Sequence, residues 1–153
     1  MPTQKLHAFL NDNQIKYLKI EHSPAYTAQE IAAAVHIPGE ALAKSVMVKI
    51  DSKMTMVVLP ANHRINFAKL TEETGAGEVR LAEESEFGDF FPDCSLGAMP
   101  PFGNLYGIEV IVDQTLANED DITFNACSHT ELIQLSYRDF ETLVNPRVLN
   151  FSW

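Results

Sequence analysis

The chain contains few residues of the kinds that build metal centres or disulfide frameworks. Cys94 and Cys127 are its only cysteines, and they form no CxxC pair. The five histidines form no HxxxH or HExxH motif, so we expect no metal site. In a reducing compartment two such cysteines are expected to be free thiols. A thiol-dependent enzyme is therefore the least favoured of the functions considered below.

The sequence also lacks long apolar runs. No run approaches the roughly 20 residues that a membrane helix needs, and the N-terminal residues lack the apolar core of a secretory signal. A length of 153 residues with 46% hydrophobic and 21% charged residues is ordinary for one globular domain. We therefore predict a cytoplasmic protein with a single domain over residues 1–153.

Basic residues are scarce in the second half of the chain. Residues 1–80 carry nine lysines and arginines against eight acidic residues, whereas residues 81–153 carry two against thirteen. The net charge of −10 argues against extended wrapping of nucleic acid. A small phosphate footprint on the first half remains compatible with this distribution.

Hydrophobic periodicity and turn residues predict alternating helices and strands without repeats or linkers. Leu6, Phe9 and Leu10 have the spacing of a first helix capped by Thr3, and Thr27 to Glu30 is a capping box for a second helix. The remaining predicted elements are strands at 17–21, 46–50, 55–59, 79–81, 108–112, 122–125 and 131–135, and helices at 67–74, 83–91 and from Ser136 to about Val144. This order indicates an α+β domain with a mixed sheet, whose strands could curl into a barrel.

The segment from Gly97 to Gly103 is a candidate site loop. Two adjacent prolines, flanked by glycines, restrict backbone movement and allow close approach of another group. Backbone N–H groups near Gly97 could stabilise an oxyanion, with Met99 and Phe102 as an apolar wall. The alternative is a structural loop that plugs one end of a barrel.

Three other positions could contribute chemistry. Lys44 stands where a strand begins, so its ammonium could bind a phosphate or polarise a carbonyl, although most such lysines are ordinary surface residues. His129 follows small residues between two strands and could donate a hydrogen bond, or could be structural. Tyr26 could shape a pocket or simply pack on the core.

Taken together, these segments resemble the YbaK/prolyl-tRNA-synthetase-associated domain family of aminoacyl-tRNA editing proteins. The resemblance covers about residues 20–145, and its strength lies in the order of the motifs rather than in any one of them. The matching motifs are Tyr26-Thr27-Ala28-Gln29-Glu30-Ile31-Ala32, Ala43-Lys44-Ser45-Val46-Met47-Val48-Lys49, Val58-Leu59-Pro60-Ala61-Asn62, Gly97-Ala98-Met99-Pro100-Pro101-Phe102-Gly103 and Asn125-Ala126-Cys127-Ser128-His129.

The resemblance implies a mixed, mostly antiparallel sheet curled into a barrel-like core with helices outside. It implies a freestanding hydrolase that removes a wrong, small amino acid from the 3′ end of a tRNA without metal or cofactor. The matched lysine, Lys44, is central in the family, and the loop after Gly97 lines the pocket. The residues expected to bind substrate are Tyr26, Ser45, Ala98, Met99, Pro100, Phe102, Ala126, Cys127, Ser128 and His129, with Lys44 and Gly97 as catalytic residues.

One position departs from the family pattern. The family commonly has glycine where this chain has Cys127, which bears on amino-acid specificity more than on reaction type.

The expected partners are the CCA end of a charged tRNA and, transiently, an aminoacyl-tRNA synthetase, with neither DNA nor a membrane. The alternative function is a non-catalytic module that binds tRNA or a synthetase through the same pocket.

Overall fold

The computed structural model describes residues 4–21, 37–95 and 97–153. In these ranges the α-helices are α1 (Gln4–Asp12), α2 (Phe67–Thr74), α3 (Glu84–Phe87), α4 (Gln114–Ala117) and α5 (Tyr137–Val144). The strands are β1 (Leu18–Glu21), β2 (Ala43–Ile50), β3 (Lys53–Pro60), β4 (Val79–Leu81), β5 (Glu109–Asp113), β6 (Asp121–Asn125), β7 (Glu131–Ser136) and β8 (Arg147–Leu149). The predicted cap at Thr3 and the predicted helix after Thr27 lie outside the described residues. No helix within those ranges is long and apolar enough to cross a membrane.

Local sequence signals account for the central hairpin and for α2. Asp51 and Ser52 both have positive φ, of 48° and 69°, which produces the tight turn between β2 and β3. Asn66 caps α2, since its side chain accepts a hydrogen bond from the N–H of Lys69. Gly75 ends α2 in the left-handed conformation, at a φ of 69°. The predicted hairpin and helix are thus confirmed, with the two strands longer than expected.

The strands form two sheets rather than one. A three-stranded antiparallel sheet has the order β1-β7-β6, and a five-stranded mixed sheet has the order β4-β2-β3-β5-β8. In the second sheet β5 runs parallel to both β3 and β8. The predicted α+β class with mixed, mostly antiparallel pairing is confirmed.

The predicted closure into a barrel is wrong for the described strands. The two sheets meet at one isolated bridge, Leu42 with Thr123. Strand β2 already pairs along its length with β3 and, at its far end, with β4. β4 therefore blocks the far end of the second edge of β2, β6 forms no ladder along the rest of that edge, and the smaller sheet branches away.

The main core fills the space between the sheets and the helices. Phe102 lies at its centre, fully buried, with its ring 5.5 Å from that of Phe124 and 5.6 Å from that of Phe140. Alternate residues of β2 face different clusters, because strand side chains point alternately to opposite sides. Ala43 and Met47 face this core, whereas Val46 and Val48 face a second cluster around Leu70.

Candidate active site

The candidate site lies where β2 lacks a strand neighbour on one edge. β3 occupies the other edge throughout, from Ala43 to Ile50. On the open edge, β6 pairs only at Leu42, the residue before β2. Strand β4 pairs with β2 at Val48–Ile50, and Ala82 N–H donates to Met47 O at 3.0 Å. The segment from Ala43 to Val46 therefore borders a gap between the two sheets.

The backbone of Lys44 borders this gap, and its side chain is partly shielded from water. Its ammonium donates a hydrogen bond to the carbonyl oxygen of Ala61 at 3.4 Å. Among the described residues it forms no ion pair. Burial lowers the pKa of Lys44 below the ordinary 10.5, because desolvation penalises the charged form. A partly desolvated cation of this kind binds an anion or a polarised carbonyl more strongly than a surface lysine does.

Two polar atoms near this gap lack partners. The hydroxyl oxygen of Ser45 and the side-chain oxygen of Asn125 are both buried without a hydrogen bond. Ser45 lies between Ala43 and Met47 and so faces the main core, whereas Lys44 projects to the opposite side. Ser45 was a predicted binding residue, whereas Asn125 was not. The motif that contains Asn125 was recognised, but nothing in the sequence showed that the Asn125 side chain would lack a hydrogen-bond partner.

The loop after Ser95 docks against the segment that follows β6. Ser95 N–H donates to Cys127 O at 2.9 Å, and Cys127 N–H donates to Ala98 O at 2.9 Å. Gly97 has a φ of 81°, and a Cβ placed on it would lie 3.6 Å from Cε1 of His129. Two of the predicted segments are thus brought into contact. The segment 126–129 in turn continues from β6, which bridges to β2 two residues before Lys44.

The two cysteines are not free thiols, contrary to expectation. Cys94 and Cys127 form a disulfide with a Cα–Cα distance of 4.3 Å. The hydrogen bonds around Cys127 hold the loop beside the end of β6 and so bring together residues 33 apart in the chain. The hydroxyl of Tyr106 lies 3.8 Å from each sulfur, and burial, followed by the charge of Asp93, raises its pKa to about 12.

Several predicted binding residues are packed into the protein. Ala98, Ala126, Cys127 and Phe102 have essentially no exposed surface. Met99 is 7% exposed and lines a cavity of about 440 Å³ together with Cys94, Phe87 and Phe91, while Pro100 is buried. A direct contact of Phe102 with substrate would require the core to open, so its predicted role is most consistent with support of the loop.

The other predicted residues are more accessible. Gly97 is exposed, and Ser128 and His129 are half-buried. The hydroxyl of Ser128 lies 3.3 Å from that of Thr130 and accepts a hydrogen bond from Thr130 N–H. Tyr26 lies outside the described residues.

The chemistry available to this arrangement is electrostatic. The site offers one partly buried ammonium and the backbone of a rigid loop, but the amides of Ala98 and Cys127 already donate to Ser95 O and Ala98 O. Any oxyanion donor in this loop must therefore be another amide, such as that of Gly97. In the described ranges no group of three or more potential metal ligands is clustered.

Comparison with known proteins places these features in a family. Residues 22–143 match the family model described as the aminoacyl-tRNA editing domain. Proline–tRNA ligases of Bacillus mycoides and Bacillus cereus are 31% identical over 100 residues, which is 65% of this chain and 17% of each ligase. The chain thus spans about one sixth of the length of these curated relatives.

Solved structures support the same fold. A hypothetical protein superposes with a TM-score of 0.87 at 21% identity, covering 98% of this chain and 100% of that one. A candidate trans-editing enzyme for prolyl tRNA synthetase gives a TM-score of 0.83 at 17% identity, covering 99% of this chain and 97% of its own.

Proposed function

Because the chain belongs to the aminoacyl-tRNA editing domain family, we propose that it is a hydrolase that deacylates mischarged tRNA carrying a small amino acid. The observation that carries this proposal is the position of Lys44. It is a partly buried cation on the open edge of β2, beside the bridge to β6 and thus near the segment that docks on the Gly97 loop.

In the proposed reaction, water attacks the carbonyl carbon of the ester that joins the amino acid to the terminal ribose. The carbonyl oxygen gains negative charge as the tetrahedral intermediate forms. The bond from carbon to the ribose oxygen then breaks, and that oxygen takes a proton. The products are the free amino acid and a tRNA with a restored hydroxyl, so the reaction needs no further reactant.

The proposed roles follow from charge and rigidity. Lys44 anchors the substrate through the terminal phosphate or the ester carbonyl, and its low solvation strengthens that contact. The amide of Gly97 donates to the developing oxyanion from a loop that the prolines and its backbone hydrogen bonds with Cys127 hold in place. Ser128 and His129 are proposed to contact the substrate. Ser45, which faces the main core, is proposed to shape the pocket together with the buried residues Ala98, Met99, Pro100, Phe102, Ala126 and Cys127, and Tyr26 is assigned a binding role from the motif alone.

Size exclusion explains why such an activity is needed. A synthetase pocket separates amino acids that differ by one methylene by only about 1–3 kcal/mol, so misloading occurs and a second site must remove the product. We propose that residues 1–153 form one domain that acts in the cytoplasm and in trans, with transient contact to a synthetase. The candidate trans-editing enzyme, similar over 97% of its own length, supports action in trans.

The test is deacylation of a panel of small amino acids, each esterified to its matched and mismatched tRNA. Lys44→Ala is expected to lower kcat/KM by about 100-fold or more, the range typical for loss of one electrostatic stabiliser. Lys49→Ala is the matched control, since Lys49 lies on the same strand and its ammonium donates to Ser52 O in the hairpin turn.

Two outcomes would contradict the proposal. A folded Lys44→Ala variant with unchanged kcat/KM would remove Lys44 from the site. A wild-type protein that binds non-hydrolysable aminoacyl-tRNA analogues but hydrolyses none of the esters would instead be a binding module.

A further inference from the structure

Asn125 is the last residue of β6 and carries a polar group that the fold leaves unused. Its side-chain oxygen is buried and accepts no hydrogen bond. A buried acceptor without a donor is unfavourable, and such atoms are rare in native proteins. Such an atom costs stability unless water or a ligand supplies a donor, which makes the Asn125 oxygen a candidate ligand contact.

Strand register places Asn125 on the same side as Lys44. Leu42 and Thr123 are directly bridged in a parallel arrangement, so their side chains project to one face. Lys44 and Asn125 each lie two residues further along and therefore share that face. The described ladder between the two strands ends at this bridge, so the two side chains stand where the strands part.

A neighbouring carboxamide shows that side chains on this face of the sheet can provide hydrogen-bond partners for such a group. Gln134, on β7, pairs in register with Thr123, and its Nε2 donates to the Thr123 hydroxyl at 3.1 Å. Asn125 pairs in register with the apolar Leu132 instead, which offers no donor. The orphaned oxygen is therefore specific to the end of β6 and is not a general property of the sheet.

We propose that Asn125 binds the substrate by accepting a hydrogen bond from the ribose hydroxyl adjacent to the ester. This inference rests on the proposed function, because every aminoacyl ester of a tRNA carries such a neighbouring hydroxyl. The substrate also offers an α-ammonium group as a donor. The shared face already carries the cation Lys44, which repels a second positive charge, and a neutral hydroxyl avoids that repulsion.

The experiment measures binding of adenosine analogues in which alanine is joined to the 3′ position by an amide that resists ester hydrolysis. One analogue keeps the 2′-hydroxyl and one lacks it. Asn125→Leu, which preserves size, is expected to weaken binding of the hydroxyl analogue by roughly tenfold and to leave the deoxy analogue within about twofold. Gln134→Leu is the control carboxamide variant and is expected to change neither affinity.

Equal weakening for both analogues would overturn the inference. A third analogue carries an N-acetylated alanine and therefore has no ammonium. If Asn125→Leu weakens binding of both free-amine analogues but not of the acetylated one, the inference is overturned as well. If Asn125→Leu has a lowered thermal midpoint, the measurement is repeated with Asn125→Ala. A wild-type protein that hydrolyses charged tRNA while failing these tests refutes only the role of Asn125. A wild type that neither hydrolyses esters nor binds any analogue refutes the proposed function too.

Discussion

Lys44 shows how position rather than residue type creates a candidate catalytic group. Lys44 and Lys49 lie on the same strand, but only Lys44 stands at the open edge between the sheets. Burial disfavours its charged form, and the nearest described hydrogen-bond acceptor is one carbonyl oxygen, that of Ala61. The Lys44 ammonium therefore gains more binding free energy from an anionic ligand than a solvated lysine would.

The lowered pKa of Lys44 gives a signed pH dependence. The ammonium is protonated below that pKa, so binding of a phosphate-bearing amide analogue is expected to weaken as the pH rises through a value below 10.5. For folding the sign is opposite. The folded state binds fewer protons than the unfolded chain between the two pKa values, so the contribution of Lys44 to stability increases with pH across that window.

Titration of analogue affinity between pH 7 and 11 checks the first expectation. Lys44→Met removes the buried charge, and its thermal midpoint at pH 7 is expected to exceed that of the wild type. An analogue affinity that stays constant up to pH 11 would contradict the role assigned to the ammonium.

A glycine is needed at position 97 because of the backbone conformation there, more than because a side chain would lack space. Its φ of 81° is unfavourable for any residue with a Cβ, whereas the nearest atom to such a Cβ, on His129, lies at an ordinary contact distance. We expect Gly97→Ala to destabilise the fold by about 1 kcal/mol and to lower kcat/KM, because the loop must shift.

Gly88→Ala is the control for this prediction. Gly88 has a φ of −55°, and a Cβ there meets nothing within 4 Å, so its replacement is expected to be neutral or slightly stabilising. Chemical denaturation of both variants measures the difference. Equal stabilities would show that the conformation at residue 97 is not restrictive.

Among the secondary structure elements, those with local signals were predictable. The cap at Asn66 and the stop at Gly75 bound α2 at the predicted residues 67–74, and the Asp51-Ser52 turn defines the hairpin. Strand β8 was not predicted, because its parallel pairing with β5 is contributed by a distant part of the chain. The expectation of free thiols failed for the same reason, since sequence spacing does not reveal which loops dock together.

The disulfide links the two elements that build the candidate site, and its loss is expected to loosen them. Cys94→Ser and Cys127→Ser should each lower the free energy of unfolding by about 2–4 kcal/mol under oxidising conditions. Because we assign no nucleophilic role to sulfur, Cys127→Ser is expected to keep the proposed deacylase activity.

Denaturant unfolding with and without a reducing agent provides the measurement. Under reduction the wild type and the serine variants should converge in stability. A wild-type stability that is insensitive to reductant would contradict the disulfide. Complete loss of turnover in a folded Cys127→Ser variant would contradict the statement that sulfur has no nucleophilic role.

Over the whole molecule, two branching sheets and an uneven charge distribution decide how a tRNA could approach. The sequence correctly indicated the mixed α+β class, but closure depends on how many partners β2 can accommodate, which no local pattern encodes. For the site, the motifs indicated Lys44, Gly97 and His129. They could not indicate that Phe102 would be central to the core or that Asn125 would lack a partner.

The charge distribution predicts a weak dependence of tRNA binding on salt. The thirteen acidic residues beyond position 80 repel phosphate, so contact is expected to be confined to the acceptor end, with about one to three phosphates neutralised. A plot of log affinity against log salt concentration should then have a slope no steeper than about −3. A slope of about −6 or steeper would indicate a broad nucleic-acid interface and contradict this expectation.

The carboxylate of Asp113 is fully buried at the end of β5, where it connects distant parts of the chain. One of its oxygens accepts from the N–H and the hydroxyl of Thr115, and the other accepts from the N–H groups of Phe151 and Ser152. During synthesis, a nascent chain that has not yet reached Phe151 must leave half of this carboxylate hydrated. The larger sheet can therefore acquire its final order only after Phe151 has been synthesised, and ribosome-stalled chains ending before Phe151 should be protease-sensitive there.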